Sequence, residues 1–418
     1  MFAFDCHQQR FAVPFDYPVY FTKDLFHPQN PLFALAVDRY NEDRVHRMMV
    51  FIDSGVVQAM PHVPERIRAY IGARPANLRL EGSIQVVPGG EQSKNSWEYA
   101  RQTIKAIADR RLCRQSFVVA VGGGSVLDAV GLAASLIHRG VRLIRVPTTV
   151  LAQNDAGVGV KNGINDRGVK NFMGTFAPPF AVLNDFQFLR TLSIEHWLGG
   201  VAEAFKVAII KDRDFFYYLS RHATRLRARD EASMEETVKR CAILHLDHIR
   251  TTGDPFESGS ARPLDFGHWS AHRLEALSDY DISHGQAVSI GMAMDCFYAF
   301  GLGLLSEKEC DAIMDAFKES GLRIWSELLE QRTSTGDLEI LKGIDDFQEH
   351  LGGELNVTLP DGIGKKVEIH QIDPVRVGEA ISCLKRNSER IPRSLLQGAS
   401  KKRSGILEER QEESFEPQ

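Results

Sequence analysis

The residues best equipped for chemistry in this chain are one carboxylate and two imidazoles set in three short blocks. Glu203 lies in Gly200-Val201-Ala202-Glu203-Ala204-Phe205-Lys206, His268 in Asp265-Phe266-Gly267-His268-Trp269-Ser270-Ala271-His272, and His284 in Ser283-His284-Gly285-Gln286. One carboxylate with two neutral imidazoles is a ligand set for a catalytic divalent cation, zinc first and cobalt as the alternative, with positions left open for substrate oxygens. His268 and His272, four apart, share one face of a helix. Lys206, three residues after Glu203, points toward the same site, to bind phosphate or modulate a proton transfer. Among fourteen histidines a single one is more often structural, so the weight rests on the three blocks together.

A second kind of chemistry is written in the glycines. Val118-Val119-Ala120-Val121-Gly122-Gly123-Gly124-Ser125-Val126-Leu127-Asp128 reads as strand, turn and helix start. Glycines there let the backbone approach a pyrophosphate, and a helix N-terminus favours its charge. Glycines at a tight turn also serve packing alone. In Pro88-Gly89-Gly90-Glu91-Gln92-Ser93-Lys94, Glu91 and Lys94 share one side of a turn, to hold ribose hydroxyls or to form a surface ion pair. Asp53, ending a strong strand, either contacts adenosine or caps a turn.

The stretch from Pro147 through Thr148, Thr149 and Asp155 to Lys161-Asn162-Gly163 and Lys170-Asn171 reads as a glycine-broken loop too polar for core. Lysines and amides at this density suit a phosphate monoester through charge-assisted bonds.

These residues need a scaffold, and the apolar patterning describes one. From roughly residue 46 to 185 the runs RMMVFID, SIQVV, FVVAVGGG and VRLIRVP alternate with helical stretches, as βαβ units do. Strands buried on both faces form a doubly wound parallel sheet whose ligands gather at the carboxyl ends, where the glycines and polar residues fall. Beyond Asp185 the texture is helical. The expected division is 1–185 for a nucleotide-binding domain, 186–387 for a helical metal- and substrate-binding domain, and 388–418 for a charged, disordered tail.

Composition closes off other classes. The 418 residues are 43% hydrophobic with a formal net charge of -5 and no broad basic stripe, which argues against nucleic acid as a partner. Six scattered cysteines without CxxC spacing fit reduced thiols, and no apolar run or signal-like N-terminus points to a membrane or to export. The expectation is a cytoplasmic protein acting on a small molecule.

Over roughly residues 46 to 385 the chain resembles 3-dehydroquinate synthase and its sugar phosphate cyclase relatives. PGGEQSK, GGGSVLDAVGLAAS, RGVRLIRVPTTVLAQNDAGVGVKNGIN, GVKNFMGTFAPP, GGVAEAFK, DFGHWSAH and HGQAVSIGM follow one another as that family's blocks do. The resemblance implies a Rossmann-like N-terminal sheet domain and a mostly helical C-terminal domain. It implies an NAD site lined by Asp53, Glu91, Lys94, Gly122, Gly123, Gly124, Ser125, Asp128, Thr148, Thr149, Asp155, Lys161, Lys170, Thr191 and Leu192, and metal ligands Glu203, His268 and His284. Lys161, Asn171, Lys206, Arg262 and His272 match substrate-binding or catalytic positions, alongside Asp155, and Arg139 matches an arginine supplied across a dimer interface, so a homodimer is implied. The implied reaction oxidises an alcohol with catalytic NAD, eliminates phosphate, returns the hydride and closes a carbocycle by intramolecular aldol addition.

The chain departs from dehydroquinate synthase where its substrate would be read. An asparagine of the family block is Asp265, and the Arg262 segment is one residue shorter. A lysine expected upstream falls among Asp247, His248 and Arg250, and a lysine pair is replaced by Phe347-Gln348-Glu349-His350-Leu351-Gly352-Gly353. Losing cations and gaining a carboxylate disfavours a carboxylated substrate and favours a neutral sugar phosphate. Asp265 and the His350 segment resemble 2-epi-5-epi-valiolone synthases, which take sedoheptulose 7-phosphate, and the EboD-like cyclases, whereas His272 keeps the dehydroquinate synthase histidine. Sedoheptulose 7-phosphate and 3-deoxy-arabino-heptulosonate 7-phosphate are both in view. Two other readings are a net NAD-dependent oxidoreductase resembling iron-type alcohol and glycerol dehydrogenases, and a non-catalytic NAD-binding homologue.

Overall fold

The structure, a computed structural model, describes residues 5–167, 169–252, 254–256, 264–350 and 353–390, with the backbone alone at His350. It divides into two compact units, one of Met1–Pro147 with Val160–Asp185, the other of Thr148–Gly159 with the chain from Phe186 onward.

The first unit is built on a parallel sheet of β1 (Val19–Thr22), β2 (His46–Asp53), β3 (Leu78–Leu80), β4 (Gln85–Val87), β5 (Phe117–Gly122), β6 (Arg142–Pro147) and β9 (Ala181–Asp185). A hairpin of β7 (Lys161–Asp166) and β8 (Val169–Phe176) stands apart from it. The sheet order is β1-β9-β6-β5-β2, and β3 and β4 share the far side of β2, pairing with its first and last residues respectively. Helices α1 (Leu32–Val37), α2 (Ser54–Ala59), α3 (Val63–Gly72), α4 (Trp97–Asp109) and α5 (Gly124–Leu136) complete the unit. Every residue of β5 and β9 is buried, the state of a strand covered on both faces, and this explains their continuous apolar runs. Strands β2, β4 and β5 all end at the edge where Asp53, Pro88–Lys94 and Gly122–Ser125 lie.

The β7–β8 hairpin packs on α5 and is anchored by Arg145, fully buried on β6, which donates to Lys161 O at 2.8 Å and Asn162 Oδ1 at 2.7 Å. The expected polar loop is therefore partly wrong. Its second half is this hairpin, with Asn162 buried, because a buried guanidinium satisfies the strand's polar groups. Strands β1, β3 and β9 also lie outside the runs read as strands.

The second unit comprises α6 (Ile194–Lys211), α7 (Arg213–Arg227), α8 (Glu231–Thr251), α9 (His268–Leu277), α10 (His284–Gly301), α11 (Glu307–Ser320), α12 (Lys342–His350) and α13 (Pro374–Ser388), with a short hairpin of β10 (Val357–Pro360) and β11 (Lys366–Ile369). Helix α6 is its axis, buried without a break from Gly200 to Ile210 and packed on α7, α8 and α10. Residues 148–159, assigned above to the first domain, belong here. Their π-helical turn Ala152–Ala156 packs on α6 and α8, with Gln153 and Asn154 fully buried. The approach is close: a Cβ on Gly200 would sit 2.2 Å from Val150, and Asn154 Nδ2 donates to Gly200 O at 2.8 Å. Arg262 and residues 391–418 lie outside the described residues. Among the described residues no helix is long and apolar enough to cross a membrane.

Candidate active site

The second unit gathers its charged side chains around Glu203. The carboxylate is 1% exposed in the middle of α6, where an apolar run would bury an uncharged residue without cost. Neither of its oxygens has a well-directed hydrogen bond, although Lys206, one turn on and 3% exposed, forms an ion pair with Oε2. Its Oε1 lies 3.6 Å from His284 Nε2 and 3.9 Å from His268 Nε2, and the three ligand atoms fall within 4.8 Å of one another. Donors around a tetrahedral ion with bonds of about 2 Å stand about 3.4 Å apart, so a small contraction closes this set on a cation. The donor chemistry, one carboxylate and two imidazoles, fits a divalent ion.

Local backbone aims the imidazoles. Gly267 adopts φ +79°, which turns the chain so that α9 opens on His268, whose N–H donates to Asp265 O at 2.9 Å. A side chain there would also collide with Met292. His268 Nδ1 lies 3.1 Å from Phe266 O, and His284, at the first turn of α10, sets Nδ1 3.3 Å from a carboxylate oxygen of Glu275. His272 follows one turn after His268, its ring centroid 5.6 Å from His268 and 6.0 Å from His284.

The electrostatics are those of a crowded buried site. Burial would raise the Glu203 carboxyl, but Lys206 and His284 hold it down, to about 2. Burial and the Lys206 charge push His268 down to about 3, whereas Glu275 and Glu203 outweigh burial at His284 and lift it to about 9. Lys206 is raised because Glu203, Asp155 and Asp265 outweigh its burial. Asp155, on the π-helical turn, is lowered by Lys206, His245 and His268 against burial, and its Oδ1 lies 2.8 Å from His245 Nδ1. Three carboxylates thus share Lys206.

In the first unit, the residues expected at the nucleotide form a separate network. Lys94 is 6% exposed and donates to Asp128 Oδ2 at 2.8 Å and to Asn171 Oδ1, so the surface Glu91–Lys94 pair is replaced by a buried one. Glu91 accepts from Ser125 Oγ at 3.1 Å and from Asn165 Nδ2 at 2.6 Å. Asp53 Oδ1 accepts from Gly55 N at 2.7 Å and caps α2. Gly122, Gly123 and Gly124 turn β5 into α5, with Ser125 in the first turn, and Lys170 faces Glu91 electrostatically from β8.

Other expected residues lie on further elements of the two units. Lys161 is exposed at the start of β7, and Arg139 is exposed after α5 with φ +62°. Thr149 Oγ1 accepts from Ala152 N at the head of the π-helical turn beside buried Thr148, while Thr191 and Leu192 close the short helix Phe186–Thr191 in the second unit. His350 ends α12. Sequence reading missed His245, Glu275 and Asp295. For His245 a signal existed: a cation was expected on this helix, though among Asp247, His248 and Arg250.

Comparisons with known proteins identify the family. The family model for the N-terminal part of 3-dehydroquinate synthase matches residues 84–198, and that for its C-terminal part matches residues 200–339. The chain belongs to the 3-dehydroquinate synthase family. Among members of this sugar phosphate cyclase group, a 3-dehydroquinate synthase of Sulfurisphaera tokodaii is 29% identical over 352 residues, 81% of this chain and 97% of that one. A 2-epi-5-epi-valiolone synthase of Streptomyces glaucescens is 32% identical over 362 residues, 86% of this chain and 88% of that one. The solved 2-epi-5-epi-valiolone synthase ValA of Streptomyces hygroscopicus, with NAD+ and Zn2+ bound, matches at TM-score 0.79 and 28% identity over 91% of this chain and 99% of that one. The N-terminal match contains the glycine turn, Lys94 and Asp155, and the C-terminal match contains Glu203, His268 and His284.

Proposed function

We propose that this chain is a phosphate-eliminating cyclase of a seven-carbon ketose phosphate, sedoheptulose 7-phosphate ahead of 3-deoxy-arabino-heptulosonate 7-phosphate, working with NAD and one divalent cation. The observation that carries the reading is the buried Glu203 carboxylate, its oxygens without directed hydrogen bonds, facing two imidazole nitrogens within 4 Å. The family membership and the NAD+ and Zn2+ of ValA support it.

In this reading Glu203, His268 and His284 hold the cation, zinc or cobalt, and the glycine turn with Glu91, Lys94 and Asp128 holds the dinucleotide. The bound cation supplies Lewis acidity at a substrate oxygen, and NAD supplies a reversible hydride store, so oxidation and re-reduction cancel. The chain's own groups do the rest. With both groups bound, oxidation of one hydroxyl would acidify the neighbouring C–H, and the chain's groups would take up that proton as phosphate leaves. Lys206, kept cationic by three carboxylates, stabilises negative charge on the substrate. Asp155, whose Oδ1 lies 2.8 Å from His245 Nδ1, pairs with His245, which exchanges a proton with a substrate hydroxyl. His272 and Arg262 serve substrate binding, with Lys161 and Asn171 for the phosphate. Ring opening and aldol closure need chiefly that the chain orient the reacting ends.

Asp265 favours the ketose phosphate that lacks a carboxylate. It adds a carboxylate near Lys206, which would repel a substrate's own carboxylate. A homodimer in the cytoplasm, with exposed Arg139 contributed to the partner, completes the proposal. The test offers the purified protein both sugar phosphates with NAD and zinc, following phosphate release, product mass and NADH absorbance. Phosphate release with no lasting NADH supports the cyclase, and preference for sedoheptulose 7-phosphate supports the role of Asp265. Stoichiometric NADH without phosphate would make it a dehydrogenase, and release from neither sugar would overturn the function.

A further inference from the structure

We infer that Glu275 is the positioning residue of the metal site, fixing His284 in the tautomer and orientation that present Nε2 to the cation. The inference rests on the Glu203–His268–His284 reading and deepens it. Glu275 is 3% exposed on α9, seven residues after His268 and so on the same face of that helix. Its Oε2 lies 3.3 Å from His284 Nδ1, on the side of the ring opposite the Nε2 that stands 3.6 Å from Glu203 Oε1. A carboxylate at Nδ1 accepts the N–H and leaves the lone pair on Nε2, the nitrogen aimed at the other two ligands.

The two imidazoles are oriented by unlike partners. His268 directs Nδ1 to a main-chain carbonyl, Phe266 O at 3.1 Å, which no side-chain change removes. His284 depends on a side chain that comes from another helix. Helix α9 therefore both donates one ligand and steers the second, and it ties α10 to the cation through a single buried carboxylate. An anionic acceptor also makes the imidazole a stronger donor to a metal than a neutral carbonyl does.

Glu275 has a second arrangement open to it, because Glu275, His272 and His284 also bring ligand atoms within 4.8 Å of one another. Direct coordination of a second ion is the competing outcome, and stoichiometry separates the two.

The experiment uses the full chain stripped of metal, in the wild type, Glu275→Gln and Glu275→Ala. Zinc affinity is measured by chelator competition, cobalt stoichiometry and ligand field by visible absorption, and folding by circular dichroism. The wild type is expected to bind one equivalent of cobalt. Glu275→Gln keeps the shape but weakens the acceptor, and it is expected to bind zinc about 10-fold more weakly, Glu275→Ala up to about 100-fold, with altered cobalt bands. Zinc affinity and cobalt bands of Glu275→Gln equal to those of the wild type would overturn the inference. Two equivalents of cobalt in the wild type and one in Glu275→Gln would make Glu275 a ligand instead. A wild-type chain that binds neither metal sinks the metal reading itself.

Discussion

The two polar clusters bury charge by opposite rules. In the first cluster Lys94 has Asp128 at 2.8 Å, and Glu91 has a hydroxyl and an amide. In the second, Glu203, Asp155 and Asp265 share Lys206; elsewhere in that unit Asp295 is 2% exposed and accepts from two neutral donors, Trp269 Nε1 at 3.0 Å and Gly267 N at 3.1 Å. A satisfied network is a preorganised cradle that a ligand enters without rearranging it. A cluster with surplus carboxylate gains stability when a cation joins it, which is the contrast expected if, as proposed, the first receives the dinucleotide and the second the metal.

The sharpest way to break this contrast is at the ligands. Glu203→Ala or His268→Ala should abolish zinc binding and phosphate release while leaving NAD affinity unchanged, measured by chelator competition, phosphate assay and dinucleotide titration. Full phosphate release from metal-free Glu203→Ala would remove the metal from the account. Next comes Lys206→Met, which strips the shared cation from a fully buried pair. The metal-free protein should lose about 3–5 kcal/mol in a denaturant titration. Zinc should restore much of it, since the ion then neutralises Glu203. A loss equal with and without zinc would show that Lys206 acts through packing alone.

Asp295 gives the pH signature of a buried carboxyl without a cation. Burial outweighs its two hydrogen bonds and raises it to about 7. A folded-state value above the unfolded one means that the native state keeps the proton longer, so the stabilisation is complete below about pH 4 and is lost as pH rises through 7. Relative to Asp295→Asn, the wild type should therefore lose stability on the order of 2–4 kcal/mol from pH 4 to 8, read as a slope that a constant offset between the proteins does not disturb. Parallel stability curves would contradict a raised Asp295.

Much of this was legible in the sequence where the signal is local. The run Phe117–Gly122 with its glycines announces strand, turn and helix, and Glu203, His268 and His284 sit in blocks whose residue types already imply a cation site. What escaped depends on distant packing. Strand β1 exists because Val19–Thr22 pairs with Val182–Asp185, a partner no local pattern names. The π-helical turn carrying Asp155 has the composition of a polar loop, and it is helical because Gly200 lets it lie against α6. Glu275 and Asp295 carry no local sign of a structural role, and it is the packing of α9 on α10, with α13 and α6 also against α10, that buries them. The candidate metal ligands were visible, whereas the groups that orient them were not.

The smallest effect tests whether a residue of the satisfied cluster has one task or two. Asp53 caps α2 by accepting from Gly55 N, which accounts for its structure without any ligand, yet it ends β2 at the edge where the glycine turn lies. Asparagine caps helices as well as aspartate, so Asp53→Asn should leave stability unchanged, while Asp53→Ala should cost about 1 kcal/mol in thermal or denaturant unfolding. If the carboxylate also receives a ribose hydroxyl, the alanine variant should bind NAD more weakly than the asparagine variant, because an amide oxygen still accepts a hydrogen bond and a methyl group does not. Equal NAD affinity in all three proteins would confine Asp53 to the cap and leave Glu91, Lys94 and Asp128 as the polar grip of the cradle.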